Sequence, residues 1–141
     1  MHITVKIGKI EREEISKNYF NKMAKTKIAL IQMKMSSEPQ KNMSSAIKKI
    51  KEAVKKKAQV VCLPELFLSN YFCQEEKHSN FNLAEKIPGR TTDIFSSLAK
   101  ELKIIIIVPI FEKKTSGIYH NSCVVINEKG KIIGKTASRK G

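Results

Sequence analysis

The chain of 141 residues predicts an α/β fold: a mixed, mainly parallel sheet with helices on one side. Three observations carry this. Short apolar runs rich in β-branched residues recur, clearest at Ile104 to Ile110, and such runs suit strands of a parallel sheet. Between them, apolar residues fall at helical spacing, as at Met43, Ile47, Ile50 and Val54. The last two runs flank Glu128-Lys129-Gly130, a hairpin turn with glycine where a positive φ is needed.

In chain order, residues 1–25 read as a polar extension with Glu11-Arg12-Glu13-Glu14 at its middle. A frayed leader is the expectation, with Met23 as a second candidate start. A short helix over Glu11 to Phe20 would place Ile15, Tyr19 and Phe20 on one face. The domain itself is assigned to residues 26–135. Lys27 to Met33 is the first strand, and its continuous apolar run predicts cover on both faces. An amphipathic helix follows from about Lys41 to Lys57, with lysines over most of its outer face. Gln59 to Leu63 is the second strand, which completes a βαβ unit with a right-handed crossover. Pro64 ends it, because proline has no N–H for the ladder. Leu68 to Lys86 is irregular or weakly helical, and Ile87-Pro88-Gly89 is a turn. Thr91 or Thr92 caps a second helix that runs to about Leu102. Ile104 to Ile110 is the third strand, fully buried in character. Asn121 to Asn127 and Lys131 to Lys135 form an antiparallel pair, and residues 136–141 are a divergent tail without periodicity.

Composition narrows the function classes. The formal charge is +14, from 27 basic and 13 acidic residues. Only Arg12, Arg90 and Arg139 are arginines, and guanidinium is the group that grips phosphates and guanine edges in two-pronged fashion. The lysines read as solvated surface, so nucleic acid is not the expected partner. Cys62, Cys73 and Cys123 are odd in number and lack CxxC spacing, which argues against a disulfide framework or a zinc site. No run reaches the length of a membrane span, and Lys6 and Lys9 interrupt any signal-like core. These features together point to a reducing cytoplasm.

Few residues are placed for chemistry. Glu65 stands just past an apolar strand, at the carboxyl end where open α/β sheets bind ligands. Desolvation there would favour a general base, while a glutamate capping the next turn from the surface is an equal alternative. The Leu63-Pro64-Glu65-Leu66-Phe67 context tips the balance toward function. Glu112 has the same placement after the third strand, so the two acids are candidates for one pocket; neutralisation by Lys113 or Lys114 is the rival. Tyr119 and Asn121 precede the fourth strand and offer polar contacts or a pin for the loop. Cys62 and Cys123 lie in strands as inert thiols. His2, His78 and His120 are isolated, with no Ser/His/Asp set, glycine-rich phosphate loop or metal cluster in the sequence.

Taken in order, these residues resemble the nitrilase-like carbon–nitrogen hydrolases. The resemblance rests on Lys27-Ile28-Ala29-Leu30-Ile31-Gln32, Leu63-Pro64-Glu65-Leu66-Phe67, Pro109-Ile110-Phe111-Glu112, and Tyr119-His120-Asn121-Ser122 leading into Gly130-Lys131-Ile132-Ile133-Gly134-Lys135. Within that family, Asn70-Tyr71-Phe72-Cys73-Gln74 is similar to the N-carbamoylputrescine amidases of polyamine synthesis. The resemblance implies an αββα sandwich, of which this chain supplies about the first half. It also implies a Glu-Lys-Cys triad that works without metal or cofactor on a small amide or carbamoyl amine. Glu65 matches the triad glutamate, the general base. Glu112 matches a second acid that positions the lysine and substrate, with Asn121 and Tyr119 beside it.

The pattern breaks at the tail. The family continues after the Gly-Lys pair with an aromatic residue, a basic residue and the catalytic lysine. Here Thr136, Ala137 and Ser138 stand in those places, with Lys140 two residues out of register. None of the three cysteines matches the nucleophile. The expectation is therefore a frameshift or truncation product, or one half of a split hydrolase, with the isolated chain inactive. Its partner would be a complementary C-terminal half or a second copy. The alternative from another class is a small basic α/β module that binds an anionic partner.

Overall fold

The computed structural model describes residues 6–8, 25–69 and 82–137. Six strands form one sheet in sequence order, β1 (Lys6–Gly8), β2 (Ile28–Leu30), β3 (Val60–Cys62), β4 (Ile105–Thr115), β5 (Ile118–Ile126) and β6 (Ile132–Ala137). The β2–β3 and β3–β4 pairs are parallel, and the other three are antiparallel. The expected mixed sheet is thus present, with one strand more than the sequence suggested. Lys6–Gly8, read as part of a polar leader, pairs with β2. The expected helix at Glu11 to Phe20 lies outside the described residues.

Helix α1 (Pro39–Lys55) joins β2 to β3, and α2 (Arg90–Leu102) precedes β4. Both crossovers step in the same direction along the sheet, so right-handed connections put both helices on one face. There, Met43, Ala46, Ile50 and Ala53 of α1 and Phe95, Leu98 and Ala99 of α2 meet Ala29, Val61, Ile106, Val108, Val124 and Ile126 of the sheet in one core. Proline at the first turn suits α1, because the first helical N–H needs no partner. The start of α2 is tied down more fully. Gly89 N–H donates to Thr92 Oγ1 at 2.8 Å, and the Thr92 hydroxyl donates to Gly89 O at 2.7 Å. A Cβ on Gly89 would lie 2.3 Å from Lys86 O, so only glycine fits. At the hairpin, Gly130 takes φ +75°, and Asn127 Oδ1 accepts from Lys129 and Lys131 N–H.

The other face of the sheet has no helix among the described residues. Along β4, burial alternates: Ile106, Val108, Ile110 and Glu112 are buried, while Ile105, Ile107, Pro109 and Phe111 are half-exposed. Leu30 is 47% exposed, although Ala29 and Ile31 beside it are buried. This corrects two expectations, that the first and third strands are covered on both sides. Continuous apolar runs state only that a strand is apolar on both faces. They do not state that this chain supplies both covers.

Phe67 links this core to the end of β3. It is fully buried and meets Phe95 edge-to-face, with ring centroids 5.6 Å apart and planes at 74°. Replacing Phe67 by alanine deletes a buried ring whose loss costs about 3–5 kcal/mol. Urea unfolding should show that loss at an unchanged m-value; a change below about 1 kcal/mol would mean that Phe67 is not the anchor of this turn.

Candidate active site

Glu65 follows β3 and Pro64 on a tight turn. Leu66 holds φ +51°, the left-handed region that branched side chains avoid at a cost of roughly 1–2 kcal/mol. Leu66 and Phe67 are buried, and Ser69 N–H donates to Leu66 O at 3.0 Å. These anchors over-determine the turn and hold the strained residue in place. The result is that the hydrophobes after Glu65 go inward while Glu65 itself is exposed. The apolar flanks suggested a desolvated carboxylate, but the flanks take the burial and the acid is left outside.

Asn121 Nδ2 donates a hydrogen bond to Glu65 Oε1, across 56 residues of sequence. Asn121 lies on β5 opposite Phe111 of β4. Two residues before it on the same face, Tyr119 stacks on Phe111 with centroids 5.6 Å apart and planes at 25°. Glu65, Asn121 and Tyr119 are therefore gathered on the helix-free side. Cys123 and Cys62 lie on that side as well, half-buried rather than sealed in the core. Burial pushes the Cys62 thiol up, and burial followed by the neighbouring Cys62 pushes Cys123 up. Both are held as neutral thiols, the poor form for attack. Cys73, His2 and His78 lie outside the described residues, as does Ser138.

Glu112 is separated from this group. It is only 4% exposed, and it lies on the helix side of β4. Ser122 Oγ donates to its Oε2 at 2.5 Å, and Lys135 Nζ of β6 donates to its Oε1. Asn121 and Ser122 are adjacent in β5, so their side chains point to opposite faces. The sheet itself thus divides the two acids that the sequence allowed into one pocket. The lysine that Glu112 engages is Lys135, not the Lys113 or Lys114 beside it in sequence. A third acid, Glu85, joins the region: its Oε2 accepts from Thr91 N–H at 2.9 Å at the start of α2, and its backbone pairs with β4 at Phe111 and Lys113. The sequence reading missed Ser122, Lys135 and Glu85. The signal for Ser122 was available in the hairpin register, which gives Ser122 and Glu112 the same parity. Among the described residues, no group of three or more His, Cys, Asp or Glu is placed to hold a metal, and no helix is long and apolar enough to cross a membrane.

Burial raises the Glu112 carboxyl, but the hydrogen bonds from Lys135 and Ser122, with the charges of Lys135 and His120, outweigh it and leave the group below the usual glutamate range. A carboxyl depressed in the fold stabilises the fold fully above its unfolded value, about 4.3, and that contribution fades as pH falls through the native value. Glu112→Gln should therefore be less stable than wild type at pH 7, with the gap closing below about pH 4.3. Urea midpoints measured across pH 3–7 check this, and a gap that stays constant over the range would contradict it.

The comparisons with known proteins bear on this site. The family described as Carbon-nitrogen hydrolase matches residues 27–140. Relatives include omega-amidase NIT2-B of Xenopus laevis, 38% identical over 113 residues, and the N-carbamoylputrescine amidase of Oryza sativa subsp. japonica, 36% identical over 112 residues. These alignments cover 80% and 79% of this chain but 40% and 37% of those proteins. The crystal structure of a carbon-nitrogen hydrolase from Helicobacter pylori G27 superposes with a TM-score of 0.75 at 30% identity, covering 80% of this chain and 39% of that one. The C. elegans NitFhit protein superposes with a TM-score of 0.66 at 23% identity, covering 78% of this chain and 27% of that one, a likeness of fold. The chain thus spans about 40% of the length of the curated relatives it matches. With the strand-end glutamate, the mixed sheet and the matched span in agreement, the chain belongs to the carbon–nitrogen hydrolase family.

Proposed function

We propose that these residues form the base-bearing part of an amidohydrolase acting on a small non-peptide C–N bond. Glu65 is its general base. The single observation that carries this is the presentation of Glu65: an exposed carboxylate on a strained but anchored turn, with one oxygen held by Asn121. A surface glutamate capping a turn requires neither the left-handed Leu66 nor a partner 56 residues away.

In the reaction, the base takes a proton from an attacking cysteine thiol, whose sulfur adds to the amide or carbamoyl carbon. Ammonia leaves with that proton. Glu65 then activates water to cleave the thioester or thiocarbamate. A lysine stabilises the developing oxyanion. Of these three groups, residues 1–141 carry Glu65 in register. The cysteine is to be supplied by the portion of the relatives that this chain does not span; the lysine, whose place here is taken by Ser138, is to come from the same partner, which must overlap that position. The helix-free face of the sheet is the docking surface for that portion, because it is apolar, half-exposed and shares its side with the Glu65 carboxylate. Glu112, holding Lys135, fixes β6 against β4 and β5.

For the substrate, we put N-carbamoylputrescine first, giving putrescine, carbon dioxide and ammonia in a reducing, cytoplasmic setting. The named relatives also include omega-amidases, so a small ω-amide is the comparison substrate.

The isolated 141 residues should release no ammonia from either substrate above background. Mixed with a separately expressed C-terminal portion of a family member that begins before its triad lysine, they should hydrolyse one of the two. Glu65→Gln should lower that rate by about 10²–10⁴-fold, the usual worth of general acid–base catalysis. Hydrolysis by the chain alone, or by the mixture containing Glu65→Gln at full rate, would overturn the proposal.

A further inference from the structure

We infer that Asn121 is the positioning residue of Glu65: its side-chain amide fixes one carboxylate oxygen and leaves the second turned toward the helix-free face to take a proton. The inference rests on Glu65 being the base, and it adds how the base is aimed.

Four observations support it. A carboxylate only accepts hydrogen bonds, so Asn121 must present its nitrogen, and it does so to Oε1. Among the described residues no other side chain meets the Glu65 carboxylate, which leaves Oε2 open. Asn121 is itself held firmly. It pairs with Phe111 in the β4–β5 ladder, and its neighbour Ser122 is buried and donates to Glu112 on the opposite face. β5 therefore cannot roll without breaking a buried contact on its far side. Finally, Leu66 and Phe67 lock the backbone of the turn but do nothing to fix the exposed side chain of Glu65. Asn121 supplies the restraint that the turn lacks.

The chemistry of the donor fits a base that must cycle. An amide is neutral, so it orients the carboxylate without the strong acidifying effect of an adjacent lysine or arginine. Once Oε2 is protonated, Oε1 is a carbonyl oxygen and still accepts from the same N–H. The contact thus survives both halves of a proton transfer, whereas an ion pair would weaken on protonation.

The test is an NMR titration of the isotope-labelled 141-residue chain, following the Asn121 side-chain amide and the Glu65 side-chain carboxyl carbon. One Nδ2 proton should move with the same midpoint as the Glu65 carboxyl, and this movement should vanish in Glu65→Gln. Asn121→Asp removes the donor and adds a like charge, so the Glu65 midpoint should rise; in Asn121→Ala, which removes the donor alone, the three-bond couplings that report a fixed Glu65 side-chain rotamer should collapse to averaged values. A role confined to holding the loop would lower the melting temperature of these variants and leave the Glu65 midpoint where it was. An Asn121 amide indifferent to Glu65, or an unmoved midpoint in Asn121→Asp, overturns the inference. If the coupling holds while Glu65→Gln has no effect on reconstituted hydrolysis, the contact stands and the assignment of the base falls.

Discussion

The direction in which the sheet grows governs this molecule. From β2 to β3 to β4 each new parallel strand is laid down on the same side of the last, and each right-handed crossover then returns its helix to the same face. Among the described residues, both helices lie on one side. The buried half of strands β2 to β5, from Ala29 to Ile126, follows from that, as does the half-exposed row on the other side. The same asymmetry gives the two acids different fates. Glu112, facing the helices, becomes a buried group tied to Ser122 and Lys135; Glu65, beyond the strand end, reaches round to the open side and Asn121.

Strand β5 is where the two sides are joined mechanically. Asn121 and Ser122 are consecutive, so the pleat sends one to each face, and each holds a glutamate. Neither acid is adjacent to β5 in sequence, yet both depend on its register. That register is set by the long β4–β5 ladder, which runs from Ile106–Ile126 to Lys113–Tyr119 before the irregularity between Lys113 and Thr115. A one-residue slip would exchange the two faces and release both acids.

Much of this was legible in the sequence. Helical spacing located α1 and α2, the proline marked the end of β3, and Glu128-Lys129-Gly130 marked the hairpin, because each is a local preference acting within a few residues. What was not legible depends on partners distant in sequence. Three residues at Lys6–Gly8 carry no signal strong enough to announce a strand; β2 recruits them by offering an unpaired edge. Continuous apolar runs cannot tell a strand covered by its own chain from one awaiting cover, as Leu30 shows. The burial of Glu112 and the exposure of Glu65 reversed the simplest expectation, because placement after a strand does not specify a face. The left-handed Leu66 is equally silent in sequence, since leucine is a residue that rarely adopts it.

From these features we propose that the helix-free face is the surface on which the rest of the catalytic site is assembled. Cys62 and Cys123 are native reporters on that face, free and half-buried. The most direct measurement is maleimide labelling of the chain, resolved by peptide mass spectrometry, with and without the C-terminal portion of a family member. The account predicts that labelling of both cysteines slows by at least tenfold when hydrolysis is restored. Restored hydrolysis with Cys62 and Cys123 labelling at their original rates would contradict it.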